Sequence, residues 1–396
     1  MMLNTSGVVK RIGSLGFPFQ TQDPFLFCVY HNDKYPIGNK DNMNAPRRGN
    51  GADFDWSQPY RMYHGDEIPG FPQHPHRGFE TMTLVREGTC DHTDSLGASG
   101  RYGGDGKASD MQWMTAGKGC VHGENFPLVH SDKANTLKLF QIWINLPAKS
   151  KFCNPGFKMY WAEKSSFVEG ENGARCEVSA GRLGDVTASA EPPPDSWASN
   201  PKNDVGLFLA TLPPNSKIEI PAALEGISIN RMAYIVEGST SGADTSFVGG
   251  KGVPGGRGFA ELQADLPVLL ENRHESEEMW VLFLQGRPIG EPVSQRGPFV
   301  MNTDKEIQQA FSDYRQTQFG GWPWEIDAVA FPRTQTRFAE YVENGKKRRE
   351  LAPLSFEKIE RLTAKELKNE LLSRQISISG LVEKDDFKKA LIATLQ

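Results

Sequence analysis

The chain is predicted to be mainly β, built as two antiparallel β-barrels with a small α-helical unit at its end. Three observations predict this. Short apolar stretches recur between Gly-containing turns, at roughly the 8–12-residue spacing of barrels and sandwiches. Gly 40 and Pro 26 in 396 residues favour many turns over long helices. The stretch from Phe79 to Gly88 has a weak echo in Arg231 to Gly238, which argues for two units of one kind.

Taken in order, Val8-Val9 and Phe25-Leu26-Phe27-Cys28-Val29-Tyr30 are the first expected strands. Residues 31–70 are polar and rich in Asn, Asp, Gly and Pro, as in Arg47-Arg48-Gly49-Asn50-Gly51, and are expected to form a long surface loop. That loop is either a mobile insertion or the border of a binding mouth lined by Trp56, Tyr60, Tyr63 and His64. From His74 the text becomes strand-like. Thr81-Met82-Thr83-Leu84-Val85 leads into a turn at Glu87-Gly88, and His92 to Gly97 supplies a strand and turn. Gly103-Gly104-Asp105-Gly106 is read as a loop before a strand from Asp110 to Met114. Leu137 to Leu146 alternates, with Leu139, Gln141, Trp143 and Asn145 against Phe140, Ile142, Ile144 and Leu146.

Residues 187–203, with Pro192-Pro193-Pro194, are a connector, after which strands resume at Val205 to Pro213 and Arg231 to Glu237. Thr303 with Glu306 forms a capping box that starts a helix with Ile307, Ala310, Phe311 and Tyr314 on its apolar face. Lys346-Lys347-Arg348-Arg349 is a basic run, readable as a nuclear-import signal or as a solvated linker. A second capping box, Thr363 with Glu366, opens a tail helix carrying Leu367, Leu371 and Leu372. Gly380 marks a turn before a helix with Phe387, Leu391, Ile392 and Leu395. About 35 residues make a marginal core, so this tail leans on a neighbour or serves as an adaptor. The expected units are a metal-binding barrel over 5–186, a metal-free barrel over 187–320, a linker over 321–361 and the helical tail over 362–396.

The chemistry concentrates in two stretches. His74-Pro75-His76 offers two imidazoles at i and i+2, and His122-Gly123-Glu124 offers an imidazole and a carboxylate with the same spacing. On a strand, residues two apart share a face, about 7 Å from one another. Two such strands side by side would aim three nitrogens and a carboxylate at one point. That donor set suits Fe, Mn, Ni, Cu or Zn and leaves positions open on an octahedral ion. Places matching His74 and His76 in the second half hold Leu224 and Gly226, so no metal is expected there.

Composition sets further bounds. A net charge of −5 gives no reason to expect affinity for nucleic acid. Five dispersed cysteines (Cys28, Cys90, Cys120, Cys153, Cys176) without a C-x-x-C read as reduced thiols of an intracellular protein. Cys120, two residues before His122, reads as a small buried hydrophobe beside the site. No stretch approaches the ~20 apolar residues of a membrane span, and Met1 to Lys10 lacks the apolar core of a secretory signal.

The stretches His74-Pro75-His76-Arg77-Gly78-Phe79-Glu80-Thr81, His92-Thr93-Asp94-Ser95-Leu96-Gly97, Gln112-Trp113-Met114-Thr115-Ala116-Gly117 and Val121-His122-Gly123-Glu124 resemble the pirin family of the cupin superfamily. Gly290-Glu291-Pro292-Val293 and Gly297-Pro298-Phe299-Val300-Met301-Asn302-Thr303 resemble its C-terminal text, and the likeness spans residues 5–320. The resemblance implies a bicupin with one divalent metal, usually Fe(II), held by His74, His76, His122 and Glu124. Glu80 stands where many cupins place a ligand; likeness to pirins makes it a neighbour of the ligands instead. The insertion at 31–70 and the C-terminal extension depart from the pattern. The tail, with Glu366-Leu367-Lys368 and Gly380-Leu381-Val382-Glu383-Lys384-Asp385, is similar to SAP-like helix-loop-helix domains, some of which bind DNA and others proteins. Its charges nearly cancel, a poor basis for strong phosphate binding.

Two functions follow. One is a dioxygenase that opens a flavonol-like ring of the quercetin type with O2, in which Glu124 doubles as proton acceptor. The other is an iron-dependent nuclear transcription co-regulator or redox sensor that acts by binding a protein, the tail being one contact. The expected location is intracellular, nuclear and/or cytoplasmic.

Overall fold

A computed structural model describes residues 7–47, 58–224, 228–240, 245–254, 256–343 and 345–395. Trp56, the run Arg48 to Gly51 and Gly226 lie outside the described residues. The chain folds as two cupin-type β-barrels with a small C-terminal helical part.

The first barrel uses β2 (Phe25–Tyr35), β3 (Gly70–His76), β4 (Phe79–Asp94), β5 (Ser99–Thr115), β6 (Cys120–Asn125), β7 (Asn135–Asn145) and β8 (Gly156–Tyr160). Its main sheet runs β2-β7-β4-β5, with β6 bridging β3 to β4 and β8 on β5. The second half repeats this order: strands Gly206–Leu212, Met279–Gly286, Asn230–Glu237 and Gly258–Leu262 lie side by side. The repeat sensed at Arg231 to Gly238 is therefore topological, since this strand occupies the place of β4.

The two sheets pack face to face. Alternation in β7 sends Phe140, Ile142 and Ile144 into that interface, beside Phe25, Tyr30, Met82 and Leu84, and against Leu207, Leu209, Tyr234, Trp280 and Leu282. The opposite parity, Phe208, Ala210, Leu212, Ile235, Val281 and Phe283, fills the second barrel with apolar side chains.

Several expected boundaries move. The strand β1 (Val9–Ser14) pairs with Gly258–Leu262, and Val8 and Val9 are buried in the second barrel. The strands β9 (Ser166–Glu169) and β10 (Arg175–Ala180) also join the second sheet, although residues 5–186 were expected to form the first unit. β4 runs continuously through Glu87-Gly88, its bulge lying just before, between Val85 and Glu87, and Gly103 to Gly106 is continuous strand, because these two Gly-bearing stretches pair with each other as Glu87 with Asp105 and Gly88 with Gly104. The described part of the 31–70 segment is tied down: Tyr60 and Tyr63 are buried and donate to Pro46 O and Ala45 O.

Beyond the helix α1 (Asp304–Thr317), where the capping box of Thr303 and Glu306 is present, the expected linker is built structure. Residues 321–337 cross the first barrel, and a hairpin of Phe338–Glu343 and Lys346–Leu351 extends its sheet through Phe338 opposite Arg101. The basic run thus lies in an edge strand, with Lys347 and Arg349 ion-paired to Glu340 and Arg348 to Glu350. The tail helices α2 (Phe356–Arg361), α3 (Ala364–Ser373) and α4 (Lys384–Ile392) close on Ile359, Leu367, Leu371, Phe387 and Leu391.

Candidate metal centre

The two histidine-bearing stretches do become adjacent strands. β3 and β6 pair antiparallel with His74 opposite His122 and His76 opposite Cys120. Ring centroids lie 4.8 Å apart for His74 and His76, 4.5 Å for His74 and His122, and 4.9 Å for His76 and His122. One donor nitrogen from each falls within 4.8 Å of the others.

Hydrogen bonds select the free nitrogens. His74 Nδ1 contacts Pro72 O at 2.8 Å and His76 Nδ1 contacts Pro298 O at 3.4 Å; each ring as N–H donor to its carbonyl presents Nε2 as a lone pair. His76 Nε2 and both nitrogens of His122 are buried without a partner. Burial holds all three imidazoles below their ordinary pKa, neutral as ligation requires. Orphaned buried nitrogens in a neutral trio fit a single divalent ion.

The turn that carries His76 into β4 is fixed from the second half. Gly78 has φ +85°, and a Cβ there would stand 2.0 Å from Val300 O, so only glycine fits. Buried Lys151 donates to Gly78 O and Asn145 Oδ1 at 2.8 Å and to Val300 O at 3.1 Å, and burial lowers its pKa to about 8. Arg77, next to His76, pairs with Asp313 of α1 at 2.6 Å.

Glu124, expected as the fourth ligand, stands outside the three-histidine group. Its Oε1 accepts from Thr83 Oγ1 at 2.6 Å and Tyr102 OH at 2.9 Å, and its Oε2 from Gln141 Nε2 at 3.0 Å. Glu80 lies on the face of β4 turned to the second half, where Thr115 Oγ1 and Ser196 Oγ donate to it at 2.7 and 2.5 Å. Burial raises its pKa to about 7. Cys120 is buried with its Sγ 3.7 Å from Ser95 Oγ, and burial raises its pKa.

Sequence reasoning missed Thr83, Tyr102 and Gln141, the donors around Glu124. Gln141 left a signal, as a polar residue between Leu139 and Trp143 on one face of its strand. It also assigned no role to His92, which is fully buried, 5.6 Å from the His122 ring and 3.3 Å from Asp94 Oδ2. Trp143 meets His76 edge-on at 5.4 Å and lies tilted against Phe79 at 4.4 Å, walling the cluster with aromatic surface.

Two cupin-type barrels in one chain, with three convergent imidazoles in the first and apolar filling in the second, define a bicupin with one candidate metal centre among the described residues. The chain belongs to the pirin family: residues 11–144 match the pirin model, and residues 208–320 match the pirin C-terminal cupin domain. It is 35% identical over 257 residues to a pirin-like protein of Caulobacter vibrioides, covering 64% of this chain and 82% of that one. It is 35% identical over 262 residues to Pirin-1 of Arabidopsis thaliana, covering 63% and 78%. A Pseudomonas aeruginosa protein provisionally named a quercetin 2,3-dioxygenase is 34% identical, with 63% and 80% covered. Among solved structures, a quercetin 2,3-dioxygenase from Acinetobacter baumannii shares the fold with a TM-score of 0.58 at 24% identity, over 79% of this chain and 96% of that one.

Proposed function

We propose that the chain is a metal-dependent dioxygenase that opens a flavonol-like ring of the quercetin type with O2, Fe(II) being the first metal to test. The observation that carries this reading is the trio of convergent, neutral imidazoles, with buried unpartnered nitrogens on His76 and His122. The names of two similar proteins point to the same reaction class. His74, His76 and His122 would hold the ion, and Glu124 is the candidate fourth ligand. A bound divalent ion supplies Lewis acidity that lowers the pKa of a substrate hydroxyl. The protein supplies the rest. Glu124 Oε2 takes the hydroxyl proton, while Thr83 and Tyr102 fix Oε1. Trp143, packed on Phe79 and His76, gives the cluster an apolar aromatic wall suited to an aromatic ring.

The test is oxygen uptake with quercetin by protein loaded anaerobically with Fe(II), beside His76→Ala. Uptake that vanishes in the variant is the expected result. No uptake by protein shown to hold one iron would remove quercetin as substrate.

One observation favours a second reading, the protein-binding co-regulator. A folded unit, α2 to α4, follows the barrels and exposes Leu372 and Val382. The basic run favours it less, because its cations sit in an ion-paired strand.

A further inference from the structure

The weakest part of the histidine cluster is β3. Past Gly70, which bridges to Tyr63, its ladder partner among the described residues is β6, and it carries Pro72 and Pro75, which have no N–H to donate. Its register with β6 shifts between Phe71 and His74, which takes Gln73 out of the ladder. His74, the residue after Gln73, is also the least buried of the three histidines.

Residues 322–331, which follow the last family-matched residue, 320, supply what β3 lacks. Gln73 N donates to Asp327 O at 3.0 Å, and Gln73 Nε2 donates to Asp327 Oδ1 at 2.8 Å. Asn125, the residue after Glu124, donates from Nδ2 to Val329 O at 3.0 Å. Trp324 Nε1 donates to Asp94 O at 2.9 Å, and Asp94 stands opposite His122 in the β4–β6 ladder. The far end is fixed by Phe331 N on Asp91 Oδ2 at 2.8 Å, with Arg101 donating to Phe331 O and Pro332 O. The near end is fixed by Phe319, whose ring stacks under Arg77 at 4.5 Å. The segment has no helix or strand of its own, and Glu325, Ile326 and Asp327 are exposed. It is a strap held by a few bonds, and each bond lands within two residues of His74, His92, His122 or Glu124, or on the Asp91–Arg101 pair.

We infer that residues 322–331 position β3 for metal binding, with Trp324 and Asp327 as positioning residues whose contacts set how fast a metal leaves the histidine cluster. The inference rests on the reading of that cluster as a metal site. Between the bridges at Gly70 and Arg77, the backbone that carries the metal-holding rings is fastened on one side by β6 and on the other by the strap. Loss of the strap frees Gln73 and loosens His74 beside it.

The experiment uses the full chain loaded anaerobically with Fe(II) and challenged with an excess of a chromophoric Fe(II) chelator. It compares wild type, the double variant Trp324→Ala/Asp327→Ala, and Asp327→Asn, which retains an Oδ1 acceptor for Gln73. Hydrogen exchange of residues 70–76 is read on the same proteins without metal. The double variant is expected to release iron about tenfold faster, the effect of losing one or two hydrogen bonds. Its 70–76 amides should exchange faster, those of Gly206–Leu212 should not, and Asp327→Asn should match wild type. Release at the wild-type rate overturns the inference, whether or not the melting temperature falls, because a strap that merely covers the barrel would lower stability alone. Should wild type retain no iron, the metal-site reading fails separately. The exchange data then decide the fastening of β3: unchanged protection in the double variant overturns it, and lost protection upholds it.

Discussion

Glu80 and Glu124 are two carboxylates of the same barrel with opposite surroundings. Glu124 accepts from three neutral donors beside the imidazoles. Glu80 shares the parity of Met82 and Leu84, the residues of β4 that enter the interface between the halves, and so faces away from the histidine cluster. The histidines were legible because i, i+2 spacing on strands fixes a shared face. Glu80 was harder to place, because the Arg77-Gly78 turn breaks the alternation that would have carried a face from His76 to Glu80. Its burial gives a pH prediction. The carboxyl titrates near 4.5 in the unfolded chain and at about 7 when folded. Below pH 4.5 both forms are protonated. Between these values the folded form keeps a proton that the unfolded chain loses, so stability falls as pH rises and levels off above about 7. The contribution is on the order of 3 kcal/mol. Glu80→Gln removes it, so melting temperatures of variant and wild type should diverge from pH 4.5 to 7 in favour of the variant. A difference between them that is constant over that range would refute the account.

At the scale of elements, the caps were the most legible signal, since a capping box is four residues of local chemistry. Both Thr303 with Glu306 and Thr363 with Glu366 form as read. The hairpin of Phe338–Glu343 and Lys346–Leu351 was not legible. Its second strand carries four consecutive cations, which an edge strand tolerates and a period-two pattern does not reveal. The tail helices rest on five buried apolar side chains and lean on the barrel through Lys358 with Glu163 at 2.7 Å and Arg374 Nη2 on Ala352 O at 2.7 Å. Leu367→Ala should cost roughly 2–4 kcal/mol, all within this unit. Limited proteolysis should then cut between residues 355 and 395 while leaving a resistant fragment that ends near Leu351. Equal acceleration of cleavage throughout the chain would show that tail and barrels unfold as one.

At the scale of the whole molecule, the halves exchange strands: β1, β9 and β10 precede the Pro-rich connector yet serve the second sheet. Pairing across such distances leaves no local trace in sequence, which is why the expected border at 186 cut through built sheet. The exchange brings a buried ion pair between the halves. Arg86 Nη1 of β4 donates to Glu177 Oε2 of β10 at 2.8 Å, and both side chains are 2% exposed. Ser109 and Ser165 complete the carboxylate at 2.8 to 3.0 Å. Removing one partner strands a buried charge, so Glu177→Ala should cost about 3–5 kcal/mol, whereas Arg86→Met with Glu177→Leu should recover most of it, because the pair's own desolvation penalty disappears. Since the pair joins β4, which adjoins the histidines, to the second sheet, the loss should be felt by both barrels. Denaturant unfolding followed by far-UV circular dichroism and by Fe(II) release should shift together in Glu177→Ala and return together in the double variant. Two transitions of which only one moves would mean that the barrels are energetically separate, and that the shared strands and the shared apolar interface do not couple them.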